Sequence, residues 1–204
     1  MQYISTRNTE KVCSFKDVFL NGLAPDGGLY VPKQMPSYSS QGLEKLKNLS
    51  YRELAVKIIL DFCADEFSES EIQDLIKKSY KDFRVKEVVS INKIGKLNLL
   101  ELFHGPTLAF KDIAMQVIGN MYENILAKNK LKLNVIVATS GDTGAAAISA
   151  IKDRKNMKIF VLHPNEKISE VQRKFMTTVD SKNVFNIALD GNFDDCQKLV
   201  KLMF

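Results

Sequence analysis

The chain has 204 residues, 45% hydrophobic and 26% charged, an ordinary globular composition that excludes a disordered or fibrous protein. Its net charge of +5 comes from lysines scattered among apolar and acidic residues, a pattern of solvated helix faces rather than a nucleic-acid-binding stripe. No stretch approaches the ~20 apolar residues needed to cross a bilayer, and the polar opening Met1 to Glu10 predicts no secretory signal.

In chain order, residues 1–89 read as a small, mainly helical region with a turn-rich start. Asp26-Gly27-Gly28 is turn chemistry, with glycines available for positive φ. Ser50-Tyr51-Arg52-Glu53 is a capping box ahead of apolar Leu54, Val56, Ile58 and Ile59. Ser68-Glu69-Ser70-Glu71 repeats the device before Ile72, Leu75, Ile76 and Phe83, which keep helical spacing. Spacing alone assigns no chemistry to this region.

Residues 90–204 alternate strand and helix. A strand is expected over Leu97–Phe103, then a helix with Phe110, Ile113, Ala114, Val117 and Met121 on one face. Leu133–Ala138 is a continuous apolar run, as in a strand buried on both faces. A helix from Ala145, a strand over Lys158–Leu162 and a helix opened by Ser169-Glu170-Val171-Gln172 follow, then a strand over Val184–Leu189 and a helix from Asp194. This alternation predicts βαβ crossovers, hence an α/β three-layer domain with a mostly parallel sheet. The last helix stops within an amphipathic pattern at Phe204 with no cap or glycine, so the α/β domain is expected to be truncated.

Two junctions carry candidate chemistry. In His104-Gly105-Pro106-Thr107-Leu108-Ala109-Phe110-Lys111-Asp112 a lysine lies between an aromatic residue and an acid, just past an expected strand. Phe110 and Lys111 are expected at the carboxyl edge of the parallel sheet, where open α/β folds collect ligands. A partly desolvated lysine loses its proton readily and forms Schiff bases with carbonyls. His104 is either a proton carrier or a hydrogen-bonded turn residue, the latter being the commoner use. Asp112 either orients Lys111 or complements the helix dipole in the first turn, again the commoner case. His163 ends an apolar strand before a proline and reads as structural. In Ser140-Gly141-Asp142-Thr143-Gly144, glycines let the backbone approach a ligand, and amides at a helix start suit an anion such as a carboxylate. Cys13, Cys63 and Cys196 lie far apart without a CxxC, which fits a reducing, cytoplasmic setting and neither a disulfide framework nor a zinc site.

The string His104 to Asp112 resembles the cofactor-lysine segment of threonine synthases, which are fold-type II pyridoxal-phosphate enzymes. Tyr3-Ile4-Ser5-Thr6-Arg7, Gly22 to Pro32, Thr139 to Ala147 and Gly191-Asn192-Phe193-Asp194-Asp195-Cys196-Gln197 are similar to the same family. The likeness runs from end to end, over what corresponds to the family's amino-terminal half. It implies a lyase that converts O-phosphohomoserine and water to threonine and phosphate, with pyridoxal 5'-phosphate as cofactor. By resemblance Lys111 holds the cofactor and moves protons at the substrate's α and β carbons. Phe110 and Asp142 join it at the cofactor, and Ser140, Gly141, Thr143 and Gly144 receive the substrate carboxylate. Many relatives have asparagine where this chain has Asp142. The family's cofactor-phosphate loop falls in its later half, so the fragment is expected to be inactive alone, with the carboxyl-terminal half or self-association covering its open edge. Two rival readings stand beside this one: a serine/threonine dehydratase-like lyase that shares the lysine segment, and a non-catalytic truncated homologue that acts as a binding protein. No nucleic-acid or membrane partner is expected.

Overall fold

The computed structural model describes residues 1–203. They form two compact units, which divide between Lys78 and Ser79.

In the first unit, β1 (Tyr3–Ser5) pairs antiparallel with β2 (Tyr30–Pro32). The turn that leads into β2 is tied back to β1, because Asp26 Oδ1 accepts from both the Ser5 hydroxyl and the Gly28 amide at 2.8 Å. A Cβ on Gly28 would fall 2.2 Å from Ser5 Oγ, so only glycine permits this closure. Four helices follow or intervene: α1 (Phe15–Asn21), α2 (Ser40–Leu46), α3 (Tyr51–Cys63) and α4 (Glu69–Ser79). Both expected capping boxes are present, with Ser50 and Glu53 exchanging bonds at the head of α3. Ser68 and Glu71 do the same before α4. Helices α1 and α2 go beyond the expected pair. The first is opened by an aspartate version of the box, Ser14 with Asp17, and the second by Ser39 alone. Each spans only seven residues, too few to print a clear periodicity on the sequence.

The second unit opens with a hairpin of β3 (Ser90–Ile94) and β4 (Leu97–Glu101), turned by Gly95 at φ +60°. The expected strand over 97–103 therefore exists in part, but it pairs antiparallel with its neighbour instead of entering the parallel sheet. A glycine between two short apolar-polar runs favours a local turn over a crossover. After α5 (Asp112–Asn129) come β5 (Leu133–Ala138), α6 (Asp142–Ile151), β6 (Met157–Pro164), α7 (Glu170–Thr177), β7 (Val184–Leu189) and α8 (Phe193–Leu202). Strands β5, β6 and β7 lie side by side in that order, all parallel. Right-handed crossovers put α6 and α7 on one face, and α8 turns back over β5 and β6 on the other. Ile159 and Val161 of β6 face α6 and are fully buried. On the opposite face Phe160 stacks on Phe185, with centroids 4.9 Å apart.

Candidate functional site

Lys111 is held by the loop that precedes it. Its backbone is already helical and its side chain makes no capping bond, so the loop is fixed by the next residue instead. Asp112 is fully buried, and its carboxylate accepts from the Thr107 amide and the Thr107 hydroxyl, each at 2.7 Å. Burial pushes this carboxyl above the usual aspartate range, opposed by the bonds from Thr107 and Leu108. Gly105 is required by the same contact, since a Cβ there would fall 2.4 Å from Asp112 Cβ and 2.5 Å from its Oδ2. Leu108 takes the left-handed conformation at φ +66° to complete the turn. Asp112 thus does more than complement a helix dipole: it anchors the segment from which Lys111 projects. Lys111 Nζ lies 4.5 Å from the centroid of the Phe110 ring, which is itself 57% exposed.

The second junction is held differently. Thr139 Oγ1, buried at the end of β5, accepts from the Gly141 and Gly144 amides at 2.9 Å each. A Cβ on Gly144 would fall 2.6 Å from both Met176 Sδ and Thr139 Cγ2. The two glycines therefore serve close packing, and their amides are engaged within the chain. Among the described residues the amides of Ser140, Asp142 and Thr143 find no acceptor, which for Asp142 and Thr143 is the ordinary state of a first helical turn. Of the stretch 140–144, Ser140 and Asp142 are exposed, while Gly141 and Gly144 are buried.

Helix packing relates the two junctions. Gln116 of α5 donates to Ser149 of α6 at 3.2 Å. Gly119 sits where a Cβ would approach Ala150 O to 2.7 Å. Farther along, Arg154 bonds Glu123 at 2.5 Å and Asn120 at 2.8 Å. Both helices advance together, so they run parallel and start at the same end. At about 1.5 Å per residue, Lys111 lies about 7–8 Å before the Gln116 contact and Gly141 about 12 Å before Ser149. The lysine and the free amides thus occupy one end of the α5–α6 pair, where two helix dipoles add positive potential. This is the end at which β5 gives way to α6, and Lys111 reaches it from the loop after the antiparallel strand β4 rather than from a strand of the parallel sheet.

The histidines serve structure. His104 Nε2 lies 3.0 Å from both Glu101 Oε2 and Ser90 Oγ, which fastens the loop to the hairpin. The Ser90 hydroxyl and then further bonds, including one from His104, lower the Glu101 carboxyl. His163 is buried within β6. Asn192 at the head of α8 forms a capping box with Asp195, so that resemblance motif has a local structural use. Sequence reasoning missed Thr139, Gly105 and Gln172 as supports. Of these only Gly105 leaves a signal, the Gly-x-Thr-x4-Asp spacing of Gly105, Thr107 and Asp112, which becomes legible once the approach of Gly105 to Asp112 is known.

Comparison with known proteins bears on the same features. The family described as "Threonine synthase N terminus" matches residues 2–80. A threonine synthase of Pseudomonas aeruginosa is 43% identical over 205 residues, covering 100% of this chain and 44% of that protein. A threonine synthase of Schizosaccharomyces pombe is 42% identical and covers 100% of this chain and 42% of its own length. A crystal structure of PLP-bound threonine synthase from Brucella melitensis superposes with a TM-score of 0.91 at 42% identity, over 100% of this chain and 44% of that one. The chain thus spans under half the length of these relatives.

Proposed function

We propose that this chain, the counterpart of the amino-terminal part of threonine synthases along its whole length, supplies the lysine-bearing part of a threonine synthase active site. The reaction is the conversion of O-phosphohomoserine and water to threonine and phosphate. Its support is the placement of Lys111 and the free amides of Ser140, Asp142 and Thr143 at one end of the α5–α6 pair. The residues at this end fit the aldehyde side of pyridoxal phosphate: an amine on a tethered loop, beside the exposed face of Phe110. Asp142, in the first turn of α6, is the acid assigned to the cofactor's phenolic oxygen.

When bound, pyridoxal phosphate supplies an electron sink for carbanions. The chain's own residues do the rest. The amides of Ser140, Asp142 and Thr143 hold the substrate carboxylate, with the α6 dipole reinforcing them. Gly141 and Gly144, with their amides held by Thr139, shape the loop so that the ligand can approach the backbone. Lys111, on the segment anchored by Asp112 and Thr107, takes a proton from the α carbon and one from the β carbon, and protons return at the γ and α carbons. Phosphate leaves from the γ carbon, and the oxygen of water ends on the β carbon. The cytoplasm suits three free cysteines, two of them buried.

The match of residues 2–80 to the threonine synthase amino terminus favours this reading over a dehydratase. One observation favours a second reading, a binding role without catalysis: the β3–β4 hairpin exposes Ile91, Ile94, Leu97, Leu99 and Leu100 on both its faces. Under the enzymatic reading these side chains pack against the rest of a complete synthase. Phosphate release from O-phosphohomoserine, with excess pyridoxal phosphate, tests the two. The chain alone is expected to be silent. Mixing it with the remaining portion of the P. aeruginosa relative is expected to restore release, and Lys111→Ala to abolish it. Release that survives Lys111→Ala would refute the assignment.

A further inference from the structure

Gln172 of α7 reaches the Ser140–Gly144 loop, and the reading above gives it no task. Its Nε2 donates to Asp142 Oδ1 at 2.5 Å. Its Oε1 accepts from the Ser169 hydroxyl at 3.0 Å, and that oxygen accepts in turn from the Gln172 amide at 3.3 Å. The orientation of the side-chain amide is therefore determined, because a carboxylate accepts only from the NH2 end. The same side chain lies against Gly141, where a Cβ would fall 2.4 Å from Gln172 Cδ. Gly141 is at φ +144°, a conformation that side-chain-bearing residues rarely adopt.

Asp142 occupies the first turn of α6, where a free carboxylate naturally turns back onto unpaired helix amides. Those amides are the ones assigned to the substrate, so an unrestrained Asp142 would compete with the ligand as an internal anion. Its carboxylate instead bonds outward, to Gln172. We propose that Gln172 is a positioning residue that holds Asp142 away from the Ser140, Asp142 and Thr143 amides and so keeps them open to the carboxylate of an amino-acid substrate. The proposal rests on the assignment of this loop to substrate.

Two readouts on the 204-residue chain test it. In Gln172→Ala, backbone hydrogen exchange at Asp142 and Thr143 is expected to slow about tenfold as the freed carboxylate caps them. Adding Asp142→Ala reverses the slowing. In parallel, titration with O-phospho-L-homoserine, followed by amide NMR, is expected to bind about tenfold more weakly to Gln172→Ala. The titration is done without pyridoxal phosphate, so the side chain of Asp142 has no cofactor to meet while its amide is kept. Binding to Gln172→Ala/Asp142→Ala is expected to exceed that to Gln172→Ala about fivefold or more. A role of Gln172 in loop stability alone predicts faster exchange and no rescue by the second substitution. Unchanged or faster exchange in Gln172→Ala, or a double variant as weak as the single, overturns the proposal. Should the parent chain bind no O-phosphohomoserine at these amides, the substrate assignment fails, and the exchange result alone judges whether Gln172 restrains Asp142.

Discussion

Lys111 depends on a residue whose importance its own neighbourhood in sequence conceals. Asp112 follows a lysine at a helix start, so dipole complementarity accounts for it without any further contact. Its burial and its two bonds to Thr107 arise from a close approach to Gly105, which only tertiary structure reveals. The carboxylate uses one oxygen for the Thr107 amide and the other for its hydroxyl. Asp112→Asn keeps the shape but offers one acceptor, and is expected to cost about 1–2 kcal/mol. Asp112→Ala leaves both donors of Thr107 unpaired beside a cavity, and is expected to cost about 3 kcal/mol. Urea unfolding of the two variants checks the order, and equal stabilities for parent and Asp112→Ala would remove Asp112 from this role. The lysine itself and the Ser140–Gly144 stretch were legible as motifs. Thr139 and Gln172 were not, because a hydroxyl and an amide that support a loop from neighbouring elements leave no periodic trace.

At the scale of elements, legibility followed length and capping chemistry. Strand β7 matches its expected span Val184–Leu189 and β5 its span Leu133–Ala138, although β5 is only half-buried, with Asn134 exposed, rather than buried on both faces. Helix α7 begins after Ser169 as its cap predicts. The hairpin β3–β4 was misplaced, since apolar Leu97 to Leu100 resembles a buried strand yet Gly95 turns it back on β3. Two measurements test how elements are held. Gly119→Ala would put a methyl 2.7 Å from Ala150 O, forcing α5 from α6, and is expected to cost about 1–3 kcal/mol. No loss of stability would show that the two helices do not pack as described. The box at α3 makes an acid-dependent contribution. The Ser50 hydroxyl, then its amide, hold the Glu53 carboxyl below its ordinary value of 4.5. A carboxyl whose folded-state value is lowered stabilises fully above the unfolded value, and this contribution is lost as pH falls through the folded one. Glu53→Gln is therefore expected to lower stability at neutral pH and to narrow the gap to the parent chain below about pH 4. A gap that widens in acid would contradict this sign.

On the scale of the whole molecule, the chain combines a buried scaffold with apolar surface left open. Leu97 is 72% exposed, and with Ile91, Ile94 and Leu100 on the same hairpin it leaves apolar side chains open that soluble monomers usually cover. The chain's counterparts in known threonine synthases are parts of chains more than twice as long. No helix among the described residues is long and apolar enough to cross a membrane. The end of the α5–α6 pair thus carries the lysine, the aromatic face and the free amides, and the functional account stands on Lys111 being the residue that holds the cofactor. Borohydride reduction in the presence of pyridoxal phosphate, followed by peptide mapping, measures this directly. The account predicts a phosphopyridoxyl adduct on Lys111, lost in Lys111→Arg. An adduct on another lysine, with Lys111 unmodified, would contradict it.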